Sequence, residues 1–213
     1  MRKKQIINNI LVYCGLIIAG LLCMFPLIMA LLNSFKSNGE LLTNVMSWPT
    51  SFNFDNYIRT FKKMNYLRSL FNTVILAGVS VSIMVLVSAL AGWKLCRTKT
   101  RLSSFLFSLF VFSMLIPFSS IMIPLYRTVN SLHIKNSLLG LAMVYVGLGV
   151  SMAIFLYHGF VKSIPYELEE AASIDGCGNL TTFFQIVLPL LKPITSTICI
   201  TNVLWIWNDF LLP

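Results

Sequence analysis

The chain has 213 residues, 57% hydrophobic and 11% charged, with a formal net charge of +9. A soluble domain carries about 25% charged residues, so this composition excludes a water-soluble globular class and indicates an integral membrane protein whose core is a bilayer-embedded bundle. The basic residues flank apolar runs, which makes them topology signals and lipid-headgroup contacts rather than a nucleic-acid surface.

Arg2, Lys3 and Lys4 precede an uncharged run over residues 10–32. At about 1.5 Å per residue such a run crosses a hydrocarbon core of ~30 Å. It is longer than a signal-peptide core and shows no clear small-residue cleavage site, so a first spanning helix is expected, kinked at Pro26. Residues 33–69 form the longest polar connection. Its Trp48, Phe52, Phe54 and Tyr57 are expected to pack at the membrane interface as an aromatic belt.

Three further uncharged runs, 70–93, 103–126 and 137–161, are each long enough to span. In the first, Gly78/Ser82 and Ser88/Gly92 are small residues at i, i+4, the spacing that lets helices approach closely. The second contains Pro117 and Pro124, whose freed carbonyls need protein or water around them. The third contains Gly140, Gly147 and Gly149. A last run, 194–213, is just long enough to cross. An ionisable residue in a span is a functional candidate by default. Asp209 in this run either lines a pathway or, near the far end, reaches headgroups or water.

Between the fourth and fifth runs lies the only long segment that combines several acidic residues, helix punctuation and a Gly-centred turn. It reads PYELEEAASIDGCGNLTTFFQIVLPLLKP over residues 165–193. Pro165 suits a first helical turn, and Glu167, Glu169 and Glu170 favour the positive end of the helix dipole. Leu168, Ala171, Ala172 and Ile174 are expected to form a small apolar face. Gly176 and Gly178 allow a sharp turn, and a second short helix is expected over about 180–188. Such a knob suits insertion into a partner's groove; a solvated loop joining two spans is the other reading of the residues alone.

Topology gives a check on this loop. An inside N-terminus puts residues 94–102, with Lys94, Arg97, Lys99 and Arg101, on the inside as well, and two more crossings bring 162–193 there too. Lys and Arg number nine inside and seven outside, so the bias rests on the short segments, which weigh most under the positive-inside rule. Cys14, Cys23, Cys96, Cys177 and Cys199 form no CxxC and no metal-like cluster, and are expected to be reduced and structural. His133 and His158 are expected to be hydrogen-bonded or interfacial. No catalytic constellation, metal site or cofactor motif is present, and without a GxxxxGK[ST] loop the chain holds no P-loop ATPase site of its own.

Glu170-Ala171-Ala172, Asp175-Gly176 and Ile186, Leu188, Pro189 resemble the "EAA" loop of ABC importer permeases. The wider text IP-x-EL-x-EAA-x-x-DG … I-x-LP-x-x-x-P is similar to the carbohydrate-importing branch, in particular the second permease of maltose-type systems. The phrase LWIWNDFL resembles the corresponding helix of sugar permeases. The resemblance implies an all-α polytopic bundle with a short cytoplasmic coupling-helix pair, five spans being visible against a family pattern of six. It implies a multi-pass permease of the cell membrane, not an enzyme, that works with a cytoplasmic ABC ATPase dimer, a second permease subunit and an extracytoplasmic solute-binding protein to import sugars or oligosaccharides. ATPase coupling would then fall to Pro165, Glu167, Glu170, Ala171, Ala172, Asp175, Gly176, Cys177, Ile186, Leu188 and Pro189. A substrate pathway would use Asn202, Trp205, Asn208 and Asp209. Because the family pattern continues beyond WNDFL, a C-terminally truncated permease is expected, less stable and poor at transport without its last helix. The alternatives are a non-transporting remnant or regulator of the same descent, and an ATP-independent transporter.

Overall fold

A computed structural model describes residues 2–213, with side chains from residue 8 onward. The Arg2, Lys3 and Lys4 side chains, on which the inside placement of the N-terminus rests, lie outside those described. Among the described residues all regular structure is helical. The chain divides into two compact units, Met1–Ser69 and Leu70–Pro213.

In the first unit, α1 (Arg2–Ser34) runs through Pro26 without a break in the helix. Its residues 8–34 are long and apolar enough to cross a membrane. The polar connection that follows has its own order. Phe35 is ringed by Phe52, Phe54 and Tyr57 at centroid distances of 5.4, 5.4 and 5.5 Å. Three of the four aromatics expected in an interfacial belt are therefore gathered on one ring, and all four, Trp48 included, stay exposed. Beside this cluster Lys36 is fully buried, its Nζ donating to the carbonyls of Asn44 at 3.2 Å and Val45 at 3.0 Å. Ser37 and Glu40 close a capping box on α2 (Asn38–Thr43), which satisfies otherwise orphaned N–H groups at the helix start. Thr50 and Ser37 donate hydrogen bonds to the Glu40 carboxylate, which holds its pKa down at about 2. The short amphipathic α3 (Asp55–Lys63) ends the connection.

In the second unit, α4 (Tyr66–Arg97) and α7 (Leu138–Val161) are long enough, at ~1.5 Å per residue, to exceed a ~30 Å core. They run side by side in the same direction, with α11 (Lys192–Asn208) antiparallel to both. Two layers of core show this. Leu76, Ala77 and Val81 of α4 meet Ala142 and Tyr145 of α7 and Ile206 of α11. Further along, Met84, Ala89 and Trp93 meet Ala153, Tyr157 and Val161, then Phe183, Val187, Leu191 and Ile198. Of the small residues expected at close contacts, Ser88 and Gly92 are buried, whereas Gly78 and Ser82 are exposed. A Cβ on Gly92 would lie 2.7 Å from Tyr157 Cβ, so this glycine sets the approach of α4 to α7. Gly140 and Gly149 are similarly tight, and Gly147 faces open space.

The run 103–126 is not a straight helix. It is α5 (Arg101–Ser113) followed by α6 (Phe118–Ser131), bent by 104°. Pro117 supplies the break: it has no N–H to continue the α5 ladder and takes the extended conformation of an N-cap. α5 packs on α7 through Phe107, which stacks on His158 at 3.7 Å, and through a 2.7 Å hydrogen bond between Ser113 and Ser151.

Candidate functional site

The loop after α7 begins at α8 (Glu167–Ile174). Its ladder starts too late for Pro165 to share: Glu169 and Glu170 N–H groups bond the Tyr166 carbonyl, so Tyr166 is the cap and Pro165 lies outside the first turn. Glu167, Glu169 and Glu170 occupy that turn, where the helix dipole favours negative charge.

The helix has two distinct faces. Glu167, Glu170, Ala171 and Ile174, at i, i+3, i+4 and i+7, are exposed, and Ile174 keeps 86% of its surface accessible. Glu169 and Ala172 are buried. The expected single apolar face is therefore divided: Leu168, Ala171 and Ile174 are exposed, and Ala172 points into its own chain.

Gly176 ends α8 at φ +83°, a left-handed conformation that costs glycine little. Gly176 N–H bonds Ser173 O at 3.1 Å and Cys177 N–H bonds Ala172 O at 2.9 Å. This is the paired closure of a Schellman motif, with Asp175 as the C-cap. Asp175 is exposed and Cys177 is a half-buried free thiol, one of five in the chain.

The expected second helix is composite. α9 (Asn179–Thr182) passes into a π-helical turn, Phe183–Val187, and then α10 (Leu188–Leu190). Leu188 donates to Phe183 O, five residues back. Pro189 has no N–H to extend that ladder, and the chain reaches α11 through a 74° bend. Phe183, Val187 and Leu191 are fully buried here. Ile186 and Leu188 are half-buried, and Pro189 is exposed in the first turn of α10.

Sequence reasoning passed over the residues that hold α8 in place. Glu169 Oε2 accepts the Trp93 indole N–H at 3.0 Å, and Oε1 accepts Arg97 Nε at 2.8 Å. Arg97 also donates to Ile164 O at 2.9 Å. A cleft of about 400 Å³ opens beside this cluster, between Trp93, Tyr166, Glu170 and Thr182.

The four pathway candidates on and after α11 are only partly brought together. The Tyr145 hydroxyl donates to Asp209 Oδ2 at 2.9 Å, and the Tyr145 ring meets Trp205 edge-on at 5.4 Å. Asn202 and Asn208 instead donate to the carbonyls one turn back, Ile198 at 2.8 Å and Leu204 at 2.7 Å. Asn202 is half-buried beside Gly149, and Asn208 is exposed. Tyr145, fully buried, is the residue that the α11 pattern gave no reason to suspect.

Residues 57–213 match the family model described as "Binding-protein-dependent transport system inner membrane component". The chain is 39% identical over its whole length, and over 77% of the relative, to the "Probable starch degradation products transport system permease protein AmyC" of Thermoanaerobacterium thermosulfurigenes. It is 33% identical to the "Multiple sugar-binding transport system permease protein MsmG" of Streptococcus mutans, covering 100% of this chain and 77% of that one. With the "Melibiose/raffinose/stachyose import permease protein MelC" of Bacillus subtilis it shares 37% identity over 87% of this chain and 67% of the relative. In fold it matches a chain of a bacterial ABC transporter that imports the acidic polysaccharide alginate, with TM-score 0.83 and 22% identity, over 95% of this chain and 71% of that one. The chain belongs to the binding-protein-dependent transport system inner membrane components, the permeases of ABC importers.

Proposed function

We propose that this permease serves an ATP-driven importer of sugars or oligosaccharides, and that α8 is its contact with the ATPase. The exposed face of α8 carries the reading. An apolar Ile174, a small Ala171 and two carboxylates, Glu167 and Glu170, stand exposed on a helix closed by a Schellman turn. That combination of a flat apolar strip with charged flanks fits a groove on a partner. The loop lies on the cytoplasmic side if Lys94, Arg97, Lys99 and Arg101 obey the positive-inside rule, and the N-terminus then lies there as well.

Nucleotide-driven closure of an ATPase pair would move α8 and bias the bundle between two access states, by binding one state better than the other. A second permease completes the pathway and a solute-binding protein delivers the solute. The relatives' names point to oligosaccharides, and the exposed Trp205, held edge-on by Tyr145, supplies an aromatic face of the kind a sugar stacks on. Asn202 and Asn208 would contribute only by exchanging their intrahelical bonds for bonds to solute.

The test is to purify the permease with its partners from membranes, identify the retained ATPase, and measure ATP-dependent uptake of labelled oligosaccharides and peptides in vesicles. Retention of an ATPase with oligosaccharide uptake supports the reading. Uptake of peptides alone, or uptake without ATP, overturns it.

A further inference from the structure

We propose that Glu169 is a positioning residue that latches α8 to the end of α4, so that a push on α8 moves α4 as one body with it. The proposal rests on the coupling role of α8 given above. Glu169 sits on the side of α8 that faces α4, opposite Ala171, and is only 8% exposed. Both its oxygens are taken, one by Arg97 and one by Trp93. Hydrogen bonds to an ionised partner are shorter and roughly twice as strong as neutral ones, and a buried carboxylate that loses its partner is left uncompensated.

Arg97 does more than pair with Glu169. Its second nitrogen holds Ile164 O ahead of α8, and its guanidinium lies 5.4 Å over the Tyr166 ring at the cap. The planar fork of arginine allows these contacts at once; a lysine ammonium in its place gives up the fork. Trp93 in turn packs its ring on Phe183, beyond the Gly176 turn, at 5.3 Å. One turn of α4 therefore grips the loop before, within and after α8.

The covalent routes out of α8 are less direct. Toward α11 the chain passes Gly176, Gly178, a π-helical turn and a 74° bend. Toward α7 it passes the turn at residues 162–166. The through-space link ends instead on a continuous helix whose Met84 and Ala89 stand in the main core. Displacement of α8 is transmitted most directly along α4.

The experiment uses the whole transporter with its ATPases, second permease and binding protein, in vesicles. Glu169→Gln, Arg97→Gln, their double and Arg97→Lys are compared for retained ATPase and for solute taken up per ATP hydrolysed. Spin labels at Lys94→Cys and Ser173→Cys, with the native cysteines replaced, report the α4–α8 distance without and with ATP. The expected result is normal ATPase retention with uptake per ATP reduced roughly three- to thirtyfold in Glu169→Gln and Arg97→Gln. The double variant should be no worse than the worse single, because both lose one contact, and Arg97→Lys should lie between wild type and Arg97→Gln. The label distance should be the same with and without ATP in wild type and should broaden in Glu169→Gln.

A wild-type distance that changes with ATP by more than the label's own spread overturns the latch, as does wild-type coupling in Glu169→Gln or multiplicative loss in the double. If Glu169→Gln fails to assemble, Arg97→Lys and the wild-type distance decide. No ATP-driven uptake by the wild-type assembly overturns the coupling reading itself and the latch with it; uptake that is insensitive to Glu169 overturns the latch alone.

Discussion

The Tyr145 hydroxyl donates to Asp209 Oδ2 across 2.9 Å, tying α7 to the end of α11 across 64 residues of sequence. The tyrosine is fully buried and its ring is held edge-on by Trp205. Asp209 spends its other oxygen on the Leu211 N–H at 3.0 Å, which turns the chain out of the helix. The one acidic side chain in this run is thus anchored at both oxygens.

Removing the hydroxyl with Tyr145→Phe should lower thermal stability in detergent by about 1–2 kcal/mol, since it deletes a hydrogen bond to a charged group in a weakly polar setting. Asp209→Asn keeps an acceptor for the hydroxyl and should cost less. The two changes combined should cost less than their sum, because they share one contact. Additive losses would show that the pair does not act together.

Gly176 provides a graded test of the loop's geometry. Its φ of +83° strains any L side chain, although a Cβ there would meet no neighbour. Asn tolerates this region better than Ala, and a β-branched residue worst. Stability should fall in the order Gly, Asn, Ala, Val, with Gly176→Ala costing about 1–2 kcal/mol. If α8 docks on the ATPase, its retention on co-purification should fall in the same order. Equal retention across the series would separate the turn from docking.

What the sequence made legible here is the part governed by local rules. The helices α1, α4 and α7 fall on apolar stretches without a break, and the left-handed turn falls on Gly176, the glycine just past the last residues of α8. Pro117 announces a break, but the 104° it makes depends on what α5 and α6 pack against. The partners of Glu169 lie 72 and 76 residues upstream, and Tyr145 lies 64 residues from Asp209. No periodicity within α8 distinguishes the inward Ala172 from the outward Ala171; that choice is made by Trp93 and Arg97 drawing Glu169 toward α4. The π-helical turn also escapes a local reading, because the sequence shows Pro189 but not which carbonyl Leu188 will take.

The two alanines of the loop should therefore behave differently. Ala171→Leu adds bulk on the exposed face; the chain's own stability should stay within about 0.5 kcal/mol while ATPase retention falls. Ala172, only 4% exposed, has no room. Ala172→Leu should destabilise the chain itself by about 1–3 kcal/mol through overpacking. Thermal unfolding of the isolated permease, measured beside ATPase co-purification, separates the two. Equal destabilisation by both would contradict the two-faced helix.

The glycines of α4 offer a last contrast, within one helix and one kind of substitution. A Cβ on Gly92 would lie 2.7 Å from Tyr157 Cβ, 3.0 Å from His158 N and 3.2 Å from Ile154 O. Two of these are backbone atoms of α7 and the third is bound directly to its backbone, so none can swing aside; the helices must part. Parting them also loosens Trp93, one residue on, and with it the indole bond to Glu169. Gly92→Ala should therefore destabilise by about 1–3 kcal/mol. Gly78, four turns earlier on the same helix, has nothing within 4 Å of its built Cβ. There Ala relieves the entropy cost of glycine in a helix and should be neutral or stabilising by up to about 1 kcal/mol. Unfolding midpoints of the two single variants, measured in the same detergent, decide the matter: similar midpoints would mean that α4 does not approach α7 through Gly92.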